Sequence, residues 1–128
     1  MRVVGIGTDI TEIDRVERLV KKHGEFFLRR VFTPSEARYC ESGKMSGERY
    51  AARWAAKEAV MKALGTGWSE KVGWTEIEVV RDAAGRPSLN LTGGAKRAAD
   101  ELGITDWQIS LSHCKLYAVA FVTAQGRE

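Results

Sequence analysis

The stretch RWAAKEAVMKALGTG, residues 53–67, joins an alanine-rich segment to a terminal Gly-Thr-Gly. Alanine, leucine, lysine and glutamate are strong helix formers, and glycine is the usual residue just beyond a helix end. We therefore predict a long helix from about 47 to 64. Residues three or four apart on a helix share one face, and five residues here form such a stripe. They are Ala51, Trp54, Glu58, Lys62 and Gly65.

The Glu58–Lys62 pair on this stripe has two interpretations. An exposed Glu–Lys pair four residues apart is ordinarily a surface feature worth about 0.3–0.5 kcal/mol. Here alanine, glycine and tryptophan flank the pair, which favours a covered face. Backbone amides beside glycines form concave anion sites, and Gly65 and Thr66 are the candidates.

An anion near the end of this helix needs cations, because a helix C terminus carries partial negative charge. Lys62 supplies one cation, and a magnesium ion held by Glu58 and a second carboxylate would supply more. Asp9, at the end of the predicted first strand, is the natural second carboxylate. The pattern therefore favours a magnesium–pyrophosphate site made by Asp9, Glu58 and Lys62.

The elements around the long helix predict an α+β fold in one domain, residues 1–128. Period-two and β-branched patterns predict strands at 2–10, 74–82, 87–93, 107–113 and 117–124. Shorter helices are predicted after a Thr11 cap, after a Thr33 cap and at 93–102. The expected architecture is an antiparallel sheet of about five strands, packed on one long helix and several shorter helices.

Composition narrows the function classes. The net charge is +3, and no apolar run approaches the length that spans a membrane. Two cysteines, Cys40 and Cys114, are too few and too far apart for a disulfide scaffold or a cysteine metal site. A reducing cytoplasm is therefore expected, although the sequence is also compatible with a single disulfide between them. The basic surplus lies in residues 15–30, which hold six Lys and Arg against two Glu. This surplus fits either a solvated helix face or a surface for an acidic partner.

Two other motifs are set aside. The segment GIGTDI has Ile10 where a dinucleotide-binding fingerprint needs glycine. In SLSH, Ser112 and His113 are neighbours on an alternating strand, so their side chains point to opposite faces and a Ser–His nucleophile is disfavoured.

Together these motifs resemble a family. GIGTDI, FTPSE, RWAAKEAVMKALGTG, the GRP hairpin and ISLSH occur in the order typical of the small bacterial 4′-phosphopantetheinyl transferases, the holo-[acyl-carrier-protein] synthases. The resemblance covers nearly the whole chain. Trp54 stands where the family often has phenylalanine.

The resemblance implies a reaction and a set of roles. Such enzymes transfer the phosphopantetheine arm of coenzyme A to a serine of apo acyl carrier protein in fatty acid biosynthesis, and release adenosine 3′,5′-bisphosphate. Asp9 and Glu58 match the magnesium ligands, and Lys62 matches a lysine near the pyrophosphate. The family resemblance assigns further positions to two groups. Arg53, Ser112 and His113 match positions that hold the nucleotide, whereas Arg15, Leu19, Lys22 and Phe26 match the face that meets the acidic carrier protein.

The resemblance also implies a cytoplasmic homotrimer with active sites between subunits. Either a metal-bound water or Glu58 would take the serine proton, and the residues do not choose between them. Two rivals remain at this stage: another magnesium-dependent nucleotide transferase, and a non-catalytic module that binds RNA or lipid. Aromatic residues are not interleaved with the basic run apart from Phe26 and Phe27, which disfavours nucleic acid, and neither nucleic acid nor membrane is expected as a partner.

Overall fold

The computed structural model describes residues 1–67 and 71–127. It contains five strands and five α-helices, which confirms the α+β class. In chain order they are β1 (Arg2–Glu12), α1 (Ile13–His23), α2 (Glu25–Val31), α3 (Pro34–Glu41), α4 (Ser46–Leu64), β2 (Ile77–Arg81), β3 (Pro87–Leu91), α5 (Gly93–Glu101), β4 (Ile104–His113) and β5 (Tyr117–Gly126). None of the helices within the described residues is long and apolar enough to cross a membrane.

The strands divide into two antiparallel sheets. One sheet has the order β1-β5-β4, and the other is the β2-β3 hairpin. In the larger sheet Asp9 pairs with Ala120, and Ala120 pairs with Leu111. The inner face of this sheet packs on α4, so β1 and β4 lie on opposite flanks of the helix.

Two glycines of β1 allow the strand to lie very close to α4. A Cβ atom at Gly7 would sit 1.8 Å from the carbonyl oxygen of Ala59, and one at Gly5 would sit 2.5 Å from that of Ala63. Only a residue without a side chain fits such an approach. The glycines of GIGTDI therefore serve strand–helix packing, and they bring the end of β1 to the middle of α4.

The α4 helix is the centre of the hydrophobic core. Its second half, including Ala55, Ala59 and Val60, packs in a cluster with the sheets and α5. Its first half, including Tyr50 and Ala51, packs in a second cluster with α1, α2 and α3. A helix buried on most sides has no simple polar face, which is why alanine, the smallest helix former, dominates it.

A buried ion pair crosses this core. Lys57 and Glu36 are both fully buried, and Lys57 Nζ donates to Glu36 Oε1 at 2.8 Å. The same ammonium donates to the carbonyl oxygens of Trp74 at 3.0 Å and Ile77 at 2.5 Å, so all three of its protons are used. Burial lowers the pKa of Lys57, and the charge of Glu36 opposes that shift. The pair fixes α4 against α3 and the start of β2.

Two helix starts test the capping predictions. The Thr33 cap is confirmed, because its hydroxyl accepts from the Glu36 amide and the Glu36 carboxylate accepts from the Thr33 amide. The Thr11 cap is wrong, because α1 begins at Ile13 with Glu12 as its N-cap. The β1–β5 pairing extends to Glu12, which pairs with Tyr117, so ladder hydrogen bonds keep Thr11 in the strand.

Candidate active site

Asp9 and Lys62 meet where β1 crosses α4. Lys62 Nζ lies 3.1 Å from Asp9 Oδ1 and donates to the Thr8 carbonyl oxygen at 3.0 Å. Thr11, on the same inner face of β1, donates its hydroxyl to Asp9 Oδ2 at 3.1 Å. The Asp9 carboxylate is therefore oriented by one group on each of its oxygens.

Glu58 lies one turn before Lys62 on α4 and is half-buried. Burial raises the pKa of Glu58 above its ordinary value, and the charge of Asp9 raises it further. The positive charges of Lys62 and Arg15 oppose this rise. A carboxylate whose pKa is raised by a second carboxylate marks a local concentration of negative charge, which is the condition for binding a cation.

The donor chemistry at this site fits magnesium. A protein usually holds magnesium by one or two carboxylates, and the remaining positions take water and phosphate oxygens. Asp9 and Glu58 provide two carboxylates and no softer ligand. Over residues 1–67 and 71–127, no group of three or more His, Cys, Asp and Glu side chains forms a metal cage. The site therefore suits a hard cation that also binds a phosphate-bearing substrate.

Gly65 and Thr66 close α4 in a way that the sequence interpretation missed. Gly65 has φ of 76° and its amide donates to the Lys62 carbonyl oxygen, while the Thr66 amide donates to the Met61 carbonyl oxygen. Both amides are thus used in ending the helix. The Thr66 hydroxyl oxygen is buried and has no hydrogen-bond partner among the described residues. An anion at this end of α4 would meet the Lys62 ammonium, whose side chain is 54% exposed, rather than the two amides.

Arg53, Ser112 and His113 line a different cavity, of about 310 Å³, on the β4 flank of α4. Arg53 is 3% exposed. His113 Nε2 lies 2.7 Å from Glu48 Oε1. The structure therefore brings these three predicted nucleotide-binding residues together, but away from Asp9 and Glu58.

Helix geometry separates the two sets. At 3.6 residues per turn, Arg53 points about 140° away from Glu58 and about 180° away from Lys62 around α4. One set faces β1 and the other faces β4. Within one chain, α4 stands between them.

The predicted docking residues lie on α1 and at the start of α2. Arg15 and Lys22 are exposed, Leu19 is half-buried, and Phe26 is 71% exposed. The Arg15 guanidinium lies over the Trp54 ring, 5.4 Å from its centroid. Because Trp54 is one turn before Glu58, this contact places the basic surface beside the two carboxylates.

Sequence interpretation missed several residues of these sites. Thr11 was taken as a helix cap, although it orients Asp9. Tyr39, Arg49 and Arg81 line the cavity that holds Arg53 and come from three different elements. No sequence spacing relates them, because only tertiary contacts bring α3, α4 and β2 together.

Comparison with known proteins places the chain in a family. Residues 5–122 match the model of the 4′-phosphopantetheinyl transferase superfamily. A holo-[acyl-carrier-protein] synthase from Ruminiclostridium cellulolyticum is 48% identical over 117 residues, covering 91% of this chain and 87% of the relative. That from Gloeobacter violaceus is 49% identical over 122 residues, covering 94% and 92%.

Solved structures agree with these relatives. The holo-[acyl-carrier-protein] synthase from Neisseria meningitidis superposes with a TM-score of 0.88 at 35% identity, over 97% of this chain and 99% of the other. The synthase from Helicobacter pylori, in complex with coenzyme A, superposes with a TM-score of 0.84 at 31% identity, over 94% and 99%. By sequence and by fold, the chain belongs to the 4′-phosphopantetheinyl transferase superfamily.

Proposed function

We propose that this chain transfers the 4′-phosphopantetheine group of coenzyme A to a serine of apo acyl carrier protein, with magnesium bound by Asp9 and Glu58. The products are holo acyl carrier protein and adenosine 3′,5′-bisphosphate. This assignment gives the chain a role in fatty acid biosynthesis. The free thiols of Cys40 and Cys114 support a place in the reducing cytoplasm.

One observation carries the proposal. Asp9 and Lys62 are in contact at 3.1 Å, Glu58 lies one turn away, and Arg15 of the basic helix α1 acts electrostatically on Glu58. A hard-cation site, a phosphate-binding lysine and a basic docking surface thus converge. That combination suits an anionic small molecule and an acidic protein reacting with each other.

The reaction needs charge stabilisation and positioning. The serine hydroxyl forms a bond to the β-phosphorus of coenzyme A, and the bond from that phosphorus to the bridging oxygen of the diphosphate breaks. Lys62, on the exposed edge of the site, stabilises the charge on the departing bisphosphate. Magnesium, when bound, neutralises phosphate charge in the transition state. Either Glu58 or a water molecule held at the metal site would accept the serine proton.

The direct test is the intact mass of an apo acyl carrier protein after incubation with the protein, coenzyme A and magnesium. We expect a gain of one phosphopantetheine, which a chelator abolishes. Glu58→Gln should lower turnover by about a thousandfold, the scale of a removed electrostatic group. Glu12→Gln, which removes an exposed carboxylate from the same strand, is the matched control. Near-normal turnover of Glu58→Gln would refute the assigned role of this carboxylate.

Carrier docking on α1 gives a separate prediction. Arg15→Glu reverses a charge that borders the carboxylates, so the KM for the carrier protein should rise at least tenfold while coenzyme A binding changes little. High salt should act in the same direction, because exposed charges are screened over about 8–10 Å. Arg97→Glu, the same change on the exposed face of α5, is the control. Equal loss of both affinities would argue against a docking helix.

We further propose that the active site is completed between subunits of a homotrimer. The outer face of the β1-β5-β4 sheet carries exposed apolar side chains, with Ile6 62%, Ile10 63% and Phe121 44% exposed. Such a face supports burial against another copy. Because α4 separates Arg53 from Glu58 in one chain, Arg53 of a neighbouring subunit would complete the site that holds Glu58.

A further inference from the structure

Trp54 is held in place by two other aromatic rings. The centroid of its ring lies 5.4 Å from that of Phe27 on α2 and 6.0 Å from that of Trp74, which precedes β2. The ring planes meet at 62° and 81°, and such edge-to-face arrangements are favoured between aromatic side chains. Two segments outside α4 therefore fix the orientation of the Trp54 ring.

Arg15 reaches this fixed ring from α1. Its guanidinium carbon lies 5.4 Å from the centroid of the Trp54 ring, within the range of a cation–π contact. Over residues 1–67 and 71–127, no carboxylate forms an ion pair with Arg15, and the residue is exposed. A solvent-exposed arginine side chain has many accessible rotamers. Contact with a rigid ring restricts Arg15 to fewer of them.

An indole at position 54 carries a cost that a phenyl ring would avoid. The Trp54 Nε1 atom is buried and has no hydrogen-bond partner within the part of the chain that the structure describes. A buried donor without an acceptor destabilises a fold, and phenylalanine has no such donor. The advantage of tryptophan over phenylalanine is its ring face, which attracts a cation more strongly. The contact with Arg15 uses that advantage.

The Arg15–Trp54 contact lies between the docking residues of α1 and the carboxylate site, because Trp54 is one turn before Glu58 on α4. A cation that is already ordered loses less entropy when an acidic partner binds it. We propose that Trp54 is a positioning residue that preorganises Arg15 for the acidic carrier protein. The inference rests on the proposed function, because it takes that carrier as the partner of α1.

The test is the binding of apo acyl carrier protein, measured by calorimetry without coenzyme A. Trp54→Leu removes the aromatic ring and should raise the Kd for the carrier about two- to fivefold, the scale of an exposed cation–π contact. Trp54→Phe keeps a weaker ring and should have an intermediate effect. Trp107→Phe, the same change at a half-buried residue of β4, is the control and should keep the Kd.

A stability measurement separates positioning from general damage. Trp54→Phe should unfold in urea no more readily than Trp107→Phe, because it also removes the unpaired N–H group. It should nevertheless bind the carrier more weakly. A merely structural role of Trp54 would lower stability and affinity together.

A double-mutant cycle tests whether Trp54 acts through Arg15. In an Arg15→Ala background, Trp54→Leu should cause no further loss of carrier affinity. In an Arg18→Ala background it should keep its full effect, since no ring among the described residues holds this exposed arginine. Trp54→Leu changes no charge, yet it should reduce the salt dependence of carrier binding, because a mobile Arg15 contributes less. Loss of packing alone would leave the salt dependence unchanged.

The possible results are distinct. If the unaltered protein binds the carrier without modifying it, and Trp54 and Arg15 are coupled in the cycle, the proposed reaction is wrong and the positioning role stands. If it modifies the carrier but Trp54→Leu keeps the affinity, or if the losses in the cycle add, the positioning role is refuted and the reaction stands. A protein that neither binds nor modifies the carrier would overturn both.

Discussion

At the scale of single residues, Glu58 is held in an environment that disfavours its charge. Burial and the neighbouring Asp9 carboxylate raise its pKa, and only Lys62 and Arg15 oppose them. A cation bound between the carboxylates would remove this conflict. On the proposed function, the folded chain gives up stability to keep a cation site ready.

This conflict predicts how stability depends on pH. Because the folded state holds the Glu58 proton more tightly than the unfolded state, the contribution of Glu58 to stability is full below its ordinary pKa of 4.5 and is lost as pH rises through the raised value. Without metal, Glu58→Gln should thus melt at a higher temperature than the unaltered protein near neutral pH. The difference should vanish in acid.

Thermal melts with chelator across a pH series measure this effect. Glu12→Gln again serves as the control, because Glu12 is exposed. A Glu58→Gln variant that melts lower at every pH would mean that the carboxylate stabilises the fold. Magnesium should reverse the order of the melting temperatures, since it binds only the unaltered site.

Residue types and spacing could indicate Asp9, Glu58 and Lys62. The predicted end of a strand and one face of a helix are sufficient to predict that these side chains lie close together. Residue types and spacing could not indicate Thr11 as the partner of Asp9, since threonine before a helix normally predicts a cap. The same holds for Tyr39, Arg49 and Arg81. Their contacts join residues far apart in sequence. From the sequence alone, such arginines are predicted to lie on the solvent-exposed surface.

At the scale of elements, the contact of β1 with α4 positions the site. Gly7→Ala would place a Cβ atom 1.8 Å from the Ala59 carbonyl oxygen, so the strand or the helix must shift. We expect a loss of about 3 kcal/mol in the free energy of unfolding, measured by urea denaturation. Turnover should fall with it, because Asp9 follows on the same strand.

Gly73→Ala is the matched control. The nearest atom to a Cβ at Gly73 is Glu76 Oε1 at 3.8 Å, and its φ of −98° suits any residue. This variant should keep both stability and turnover. Equal losses in the two variants would mean that glycine at position 7 serves chain flexibility rather than close packing.

The buried Lys57–Glu36 pair predicts a second effect on packing. Lys57→Met leaves the Glu36 carboxylate buried without its cation, which should cost about 3–5 kcal/mol. The double variant Lys57→Met/Glu36→Gln removes the uncompensated charge and keeps an acceptor for the Val79 amide. It should therefore lose less stability than the sum of the two single variants. Additive losses in denaturation experiments would contradict a coupled pair.

The elements themselves were largely predictable, and their partners were less so. Alternation identified β4 and a near-continuous apolar run identified β5, and the short link between them indicated that they pair, which the register confirms. Alternation does not say which other strands join a sheet, so one sheet of about five strands was expected where two sheets form. Lys57 looked like an ordinary helix lysine, because its buried partner lies 21 residues away.

At the scale of the whole molecule, the division of the site across α4 predicts subunit complementation. Glu58→Gln and Arg53→Ala should each be nearly inactive as pure proteins. Trimers formed from equal amounts of both should regain activity, because some interfaces combine an intact Glu58 with an intact Arg53. Random assembly in a ring makes about a quarter of the interfaces intact.

Activity of coexpressed variants, measured against the pure variants, checks this expectation. A site contained in one chain would give no recovery at all. Light scattering gives the subunit number independently, and Ile10→Glu on the exposed sheet face should yield monomers that lack activity.

The α4 helix also has a consequence for mutational tolerance. Eleven of its nineteen residues are buried, and among the others Trp54 holds Arg15, while Glu58 and Lys62 face Asp9. Few positions of α4 can therefore be substituted without loss of stability or activity, whereas the exposed turn between β2 and β3 should tolerate most substitutions. In a saturation mutagenesis library selected for growth, few substitutions should be tolerated along α4, whereas many should be tolerated in the surface turns. This intolerance to substitution is also what makes a distant homologue easiest to identify from this segment alone.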